Sequence, residues 1–384
     1  MVIYVVKQGD TVDSIAYYYG VNVNNIVYVN QLEYPYGLAV GQSILIIFDS
    51  EFDNIISGEN VIRGNGFAYP FISPWVLSET LPYMEELSVF SYGFSEYGEL
   101  INPPLPVEWM VNDAVYKGVR PILTLTPFGA DGQFNNYLIH RMLSSETARN
   151  NLINNLIQAT ESMGYEGVNI DFEFILAEDR DSFTEFVRET TYRMNELGYE
   201  VTVDLAPKTS ATQEGLLYEG KDYRGLGEAS NRVLIMTYEW GYTYGPAMAV
   251  APLNKVREVL DYAVTEIPRE KISMGIPNYG YDFTQPYVRG ESKAVTIGNI
   301  EAVQIAIRNN SEIYFDEVAM APYFSYVADG VTHEVWFEDA RSILAKYKLI
   351  GEYGFYGFGC WQIMQLFRQM WILGRADLNR ITIE

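Results

Sequence analysis

Apolar and polar positions change period several times along the chain. Tyr4-Val5-Val6 has the pattern of a short strand, and Lys7-Gln8-Gly9-Asp10-Thr11 turns the chain. Val12, Ile15, Ala16 and Tyr19 then recur at helical spacing, with Asp10 or Thr11 placed to cap the helix and Gly20 to end it. Asn22 and Asn24 can open a second helix carrying Ile26, Val27 and Val29. Asn30-Gln31 leaves that helix, and Leu38-Ala39-Val40-Gly41-Gln42 leads into a strand from Ser43 to Ile47. The opening segment thus predicts strand, helix, helix, strand. Residues Asp49 to Gly58 lose the periodicity and are expected to be a linker.

From about Val61 strands and helices alternate. Candidate strands are Gly66 to Pro70, Glu86 to Tyr92, Arg120 to Thr126, Gly167 to Phe174, Glu200 to Ala206, Arg232 to Tyr238, Lys271 to Pro277 and Gly354 to Trp361. Between them, Leu152, Ile153, Leu156, Ile157 and Met163 share one helical face. Ser182 to Glu185 has the form of a capping box ahead of Phe186, Val187, Met194 and Leu197, with Gly198 as a stop. Eight strands with intervening helices predict an α/β fold, a (β/α)8 TIM barrel. The stretch from about Phe283 to Glu338 is too long for a barrel loop and predicts an α+β insertion before the last strand. Without it roughly 265 residues remain, close to the typical barrel of about 250. A doubly wound open sheet is the competing fold, but no Gly-rich phosphate loop follows any strand, which counts against a nucleotide-binding version. The expected organisation is a small βααβ domain at 1–48, a linker at 49–60 and a barrel at 61–384.

Composition narrows the chemistry. The 384 residues carry a formal net charge of −24, from 26 Lys+Arg against 50 Asp+Glu. Such a surface repels polyphosphate, so nucleic acid and anionic membranes are poor partners. Apolar runs such as Ile44 to Phe48 are far short of a membrane span, and the N-terminus lacks the pattern of a standard signal peptide. Cys360 is the only cysteine, which excludes an internal disulfide. His140 and His333 are the only histidines, so histidine zinc sites and Ser-His-Asp triads have little to be built from; no metal and no cofactor is expected. Carboxylates must carry any acid–base chemistry. The 31 Tyr, 19 Phe and 6 Trp include rings suited to stacking on sugar faces.

One strand stands out: Glu166-Gly167-Val168-Asn169-Ile170-Asp171-Phe172-Glu173-Phe174. Alternation sends Val168, Ile170, Phe172 and Phe174 to one face and Asn169, Asp171 and Glu173 to the other. The apolar set should face the outer helices. The polar set should face the barrel interior, with Glu173 nearest the C-terminal mouth where barrel enzymes place their sites. Neighbours in that row stand only about 6.6 Å apart at Cα. Polar groups so crowded in a core are costly unless they are hydrogen-bonded or serve chemistry, and their repulsion raises at least one carboxyl pKa, as a general acid requires.

The run Tyr4 to Thr11, the pair Ile15-Ala16, Asn30 and Val40-Gly41-Gln42 resemble a LysM domain. That resemblance implies binding of the N-acetylglucosamine of chitin or peptidoglycan in a groove between Gly9, Asp10 and Thr11 on one side and Val29, Asn30 and Gln31 on the other.

The acidic strand resembles the Asp-Gly-x-Asp-x-Asp-x-Glu motif of glycoside hydrolase family 18, matching at Gly167, Asp171 and Glu173, with Glu166 and Asn169 replacing two aspartates. The resemblance implies that Glu173 is the acid–base residue and that Asp171 steadies the substrate's acetamido group. Met236-Thr237-Tyr238-Glu239 is similar to the family's Met-x-Tyr-Asp, which puts Tyr238 on the acetamido oxygen and Glu239 in the Asp position. Trp361 ends the eighth strand, where the family has a Trp under the reacting sugar. Asn169, Met236, Glu239, Trp361 and Tyr69 are the substrate-binding candidates. The implied mechanism is substrate-assisted and retaining. Asn169 cannot share a proton with its neighbour as an aspartate can, so an altered pH behaviour is expected.

The combination also resembles the spore-associated, cortex-lytic N-acetylglucosaminidase branch of that family. This implies spore cortex peptidoglycan as the substrate, cleaved after N-acetylglucosamine during germination, and a place in the coat or cortex of an endospore former. A chitinase or other endo-N-acetylglucosaminidase, and a non-catalytic glycan-binding protein, are the alternatives. Tyr323, Phe324, Tyr326 and Trp336 in the insertion could wall the glycan cleft or form that subdomain's own core.

Overall fold

The computed structural model describes residues 1–129 and 131–384. Strand β1 (Val2–Val5) pairs antiparallel with β2 (Ser43–Ile46), and helices Val12–Tyr19 and Val23–Asn30 pack over them. Thr11 is the N-cap of the first helix, its side chain accepting from the Ser14 N–H, and Gly20 ends it at φ 64°. Asn22 caps the second. Val12, Ile15, Ala16, Ile26, Ile44 and Ile46 form this module's core, as the 3.6- and 2-residue periods require.

Residues Asp49–Ile56, expected to be a linker, are helical. Asp49 and Glu51 in the first turn suit the positive end of the helix dipole. Phe52, Ile55 and Ile56 are half-buried against the main core, so a short apolar stripe gains there what periodicity too brief to read did not reveal.

The barrel is built from β3 (Gly64–Ala68), β4 (Glu86–Phe94), β6 (Arg120–Leu125), β7 (Gly167–Ile170), β8 (Glu200–Leu205), β9 (Arg232–Ile235), β10 (Ile272–Pro277) and β16 (Gly357–Trp361); a short β5 (Leu100–Ile101) adds to β4 at its edge. All eight barrel strands pair in parallel, and the β3–β4 pairing closes the ring. Sequence and structure agree on the (β/α)8 barrel. The expected capping box at Ser182 lies inside its helix, which starts at Arg180. Between β10 and β16 the chain forms an antiparallel sheet of β11 (Gly280–Gln285), β12 (Val295–Ile297), β13 (Tyr314–Asp316), β14 (Ala321–Ala328) and β15 (Val331–Trp336), with helix Asn299–Arg308 against it.

The chain returns to its start. Strand β17 (Thr382–Ile383) pairs in parallel with β1, completing a three-stranded sheet in the N-terminal module. That module is docked by buried polar contacts: Gln369 Nε2 donates to Asn30 Oδ1 at 2.7 Å and to the Ser43 carbonyl at 3.1 Å, and Arg341 donates to the Gly41 carbonyl at 3.1 Å.

At the N-terminal end of the barrel Arg232 grips the buried Glu86 with both Nη atoms and reaches Glu200 at 3.0 Å, while Arg120 bridges Glu86 and Glu200 at 3.1 Å. Glu166 adds a 3.4 Å contact to Arg120. This closed ionic plug leaves the opposite, C-terminal end as the barrel's open mouth.

Candidate active site

Strand β7 lies between β6 and β8, and Asn169 pairs in register with Thr124 and Thr202. The regular strand ends at Ile170, but the chain stays tied to β6 through the Asp171 N–H, which donates to the Leu125 carbonyl at 2.9 Å. Val168, Ile170 and Phe172 are fully buried on the outer face. Phe172 packs on Phe94, Phe183 and Phe186 with ring centroids 5.3, 5.7 and 6.3 Å apart. That packing fixes the backbone on either side of a single aromatic, and so aims Asp171 and Glu173 into the mouth.

There they line a cavity of about 350 Å³ with Phe67, Asp204, Ala206, Pro207, Leu217, Tyr218, Met236, Tyr238, Glu239 and Trp361. Six predicted residues from three strand ends therefore converge: Asp171 and Glu173 after β7, Met236, Tyr238 and Glu239 after β9, and Trp361 at the end of β16. The Trp361 ring is held edge-on by Phe90 at 4.9 Å, Tyr69 at 5.8 Å and Phe67 at 6.0 Å. Tyr69 thus supports Trp361 at the rim and also stacks on the exposed Phe71.

The electrostatics follow from crowding. Asp171 is buried, and both burial and the neighbouring Asp204 and Glu173 push its carboxyl well above the ordinary value. Glu173 opens to solvent at the mouth, yet the protein packed around its carboxyl raises it too, against the pull of Lys221. Tyr238 is raised by burial and by the three nearby carboxylates. Glu239 is raised by burial, opposed by hydrogen bonds from Tyr279 and from Tyr281, the latter at 2.9 Å. Glu239 sits at φ 69°, an uncommon region for a side-chain-bearing residue, locked by the next two N–H groups, which donate to Val250 and Ala249.

Asn169 does not reach the cavity, contrary to its expected place among the substrate contacts. It lies beneath Asp171, buried, and its Nδ2 donates to Thr202 Oγ1 at 3.0 Å and Asp204 Oδ1 at 2.8 Å. Two residues nearer the N-terminal end of a strand, on the same face, means one layer deeper in a barrel.

The second wall of the expected sugar groove in the N-terminal module is also corrected. Val29 and Asn30 are 1% and 3% exposed. Asn30 bonds the Ile26 and Leu45 carbonyls, the Leu45 N–H and Gln369; Gln31 bonds the Leu366 carbonyl and the Arg368 N–H. These three residues dock the module on the barrel, and a sequence pattern cannot show which inward surface will meet a neighbour. Gly9 and Thr11 remain exposed, and Asp10 is occupied by Tyr4 Oη and the Lys7 N–H, both at 2.7 Å.

Of the insertion aromatics, Phe324 is core, while Trp336 and Tyr323 stack at 4.6 Å in a cluster that also holds Tyr279 and Tyr281 and touches Tyr238 and Trp361. Three further residues at the site escaped the sequence reading. Asp204 was legible in principle, a carboxylate on the same face as Thr202 in a strand whose other face, Val201, Val203 and Leu205, is apolar. Lys221, buried with its Nζ bonded to the Phe172 carbonyl and, at 3.1 Å, to the Asp204 carbonyl, had no local signal; nor had Tyr279. Among the described residues no group of three or more His, Cys, Asp or Glu is arranged to hold a metal ion, and no helix is long and apolar enough to cross a membrane.

A closed parallel barrel with Asp171, Glu173, Tyr238 and Trp361 at its mouth is the arrangement of a glycosidase. Residues 124–365 match the glycosyl hydrolases family 18, and the chain belongs to that family; residues 4–46 match the LysM domain. It is similar to the cortical fragment-lytic enzyme of Bacillus subtilis (strain 168), 35% identical over 99% of this chain and 98% of the relative, and to that of Bacillus anthracis, 37% identical over 76% and 67%. The crystal structure of the Bacillus megaterium QM B1551 spore cortex-lytic enzyme SleL superposes with a TM-score of 0.90 at 30% identity, covering 100% of this chain and 98% of that one. The chain is accordingly a glycoside hydrolase with a glycan-binding module.

Proposed function

We propose that this chain is a retaining, substrate-assisted N-acetylglucosaminidase that cleaves spore cortex peptidoglycan fragments during germination. The observation that carries the reading is the convergence of Asp171, Glu173, Tyr238 and Trp361 on one cavity, together with the two cortex-lytic relatives matched along nearly the whole chain.

Glu173, its carboxyl raised by burial, protonates the glycosidic oxygen. The substrate's own acetamido oxygen attacks the anomeric carbon from the opposite face as the leaving sugar departs, giving an oxazolinium ion. Asp171 and the Tyr238 hydroxyl orient that acetamido group and stabilise the developing charge. Glu173, now ionised, takes a proton from water as the water attacks the anomeric carbon, so configuration is retained. Trp361 floors the reacting sugar, Glu239 is held ready by Tyr279 and Tyr281, and Met236 fills the wall between them.

The division of labour we infer is a glycan-binding module at about 1–48, with Gly9 and Thr11 as its exposed contacts and Asp10 held between them by Tyr4 and Lys7, and a catalytic body from about 61. The partner is a glycan containing N-acetylglucosamine; the net charge of −24 works against nucleic acid and anionic membranes. The relatives' names favour the spore coat or cortex as the place of action.

The test compares wild type with Glu173→Gln on purified cortex fragments and on chitin oligomers, with products identified by mass spectrometry. New N-acetylglucosamine reducing ends from cortex, absent in the variant, support the reading. Cleavage of chitin alone turns it toward a chitinase, and no cleavage with binding intact toward a glycan-binding protein.

A further inference from the structure

Asp204 is a buried carboxyl for which the steps above have no use. It is 2% exposed, yet it lines the catalytic cavity. Strands β7 and β8 run in parallel with Ile170 opposite Val203, so the next residues along each, Asp171 and Asp204, stand side by side about 4.8 Å apart in backbone. Asp204 Oδ1 accepts from Asn169 Nδ2 at 2.8 Å. Asp171 Oδ1 is buried and finds no hydrogen-bond partner among the described residues. Two carboxyls this close and this dry do not both ionise, and an orphaned buried acceptor is satisfied if one of them carries a proton.

We propose that Asp204 is a positioning residue of the glycosidase site, sharing one proton with Asp171 and so supplying from the neighbouring strand the acidic partner that Asn169 cannot be. The proposal rests on the reading of Glu173 as the acid–base residue.

At rest the proton on Asp171 donates to the Asp204 carboxylate. As positive charge develops on the oxazolinium ion, the proton passes to Asp204 and leaves Asp171 anionic toward the cation. It returns when water opens the intermediate, so protons and charge balance over the cycle. The groups facing Asp204 fit this arrangement. Asn169, Asp171 and Glu173 come from β7 and its extension, Lys221 from the segment before helix Tyr223–Ala229, and Tyr238 from the segment after β9. Asn169 can only donate from Nδ2, which pins Asp204 as an acceptor. Lys221, donating to the Phe172 and Asp204 carbonyls, sets a cation beside the pair and limits the cost of its single negative charge. Burial carries the Asp204 carboxyl to about 7, and Asp171 is raised further by the charge of Asp204. The two therefore titrate as a unit.

The experiment measures kcat and KM across pH on purified cortex fragments for wild type, Asp204→Asn, the double variant Asn169→Asp/Asp204→Asn, and Glu173→Gln. Asp204→Asn is expected to lower kcat about tenfold or more, the loss that one unit of proton affinity implies, with KM little changed. Without the neighbouring charge Asp171 releases its proton more readily, so the alkaline limb of the kcat profile moves to lower pH. The double variant, which places a carboxyl back beside Asp171, is expected to recover activity and return the limb. An Asp204→Asn enzyme with wild-type kcat and pH profile, while Glu173→Gln is inactive, overturns the role of Asp204 alone. Activity in Glu173→Gln overturns the site reading and this proposal with it. Should Asp204→Asn fail to fold, the Asp204 carboxyl carbon is followed by NMR in wild type and in Asp171→Asn. Its titration is expected to move to lower pH when Asp171 is neutralised; an unmoved titration overturns the proposal.

Discussion

Phe172 is the side chain on which both fold and site depend. It stands between the two carboxylates in sequence, points to the opposite face, is fully buried, and packs on Phe94, Phe183 and Phe186. Truncating a buried Phe to Ala removes the transfer energy of the ring and leaves a cavity, together about 3–5 kcal/mol. Three aromatic neighbours at 5.3 to 6.3 Å put this site at the upper end, since each well-placed ring pair adds about 0.5–1.5 kcal/mol beyond area. We expect Phe172→Ala to lose about 4–5 kcal/mol. At about 2 °C per kcal/mol for a chain of this size, the thermal midpoint falls by about 8–10 °C. Phe172→Leu, which keeps most of the volume, should lose less than half of that. The two variants are assayed by circular dichroism melts and by kcat on cortex fragments well below both midpoints. The backbone flanking residue 172 carries Asp171 and Glu173, so kcat should fall in the Ala variant even where it is fully folded, because a displacement of about 1 Å can cost a hundredfold. A Phe172→Ala protein that melts within 1–2 °C of wild type, or one that melts early yet turns over normally, would refute the claim that this packing positions the carboxylates.

Two further outcomes follow from the same geometry. Gln369→Ala removes the donor to Asn30 Oδ1 and the Ser43 carbonyl, and should destabilise by about 1–3 kcal/mol; hydrogen exchange should quicken first in residues 26–46, and exchange that quickens uniformly along the chain would contradict the docking role. Asp204 has a folded-state value raised from 3.8 to about 7, so the folded state binds its proton more tightly than the unfolded chain does. That contribution to stability is full below about pH 4 and is lost as pH rises to about 7. Asp204→Asn should therefore melt above wild type at pH 8 and lose that advantage at pH 4, a sign that paired melts at the two pH values check directly.

Legibility differed by element. The barrel strands were readable because a strand closed between a core and outer helices keeps its apolar face continuous, as Val168, Ile170 and Phe172 do. The inward aim of Asp171 and Glu173 was readable because alternation along their strand decides which side faces in; Tyr238 and Trp361 were singled out by the family resemblance of the segments that carry them. Asp49–Ile56 was not readable as a helix: two turns with three apolar residues acquire their preference from the surface they pack on.

Local order in the chain therefore determined the small N-terminal module, the eight-stranded barrel, the insertion and the identity of the central acids, because period, caps and strand alternation act between neighbours in sequence. Depth and partnership were decided only in three dimensions. Strand stagger placed Asn169 one layer below the cavity and brought Asp204 beside Asp171. Chain reversal carried Lys221 to the backbone carbonyls of Phe172 and Asp204, and Gln369, more than three hundred residues away, claimed Asn30 from the surface. Each of these contacts joins residues that no periodicity relates. Their energies come from burial and from hydrogen bonds made across the closed core, and neither exists until the barrel has closed.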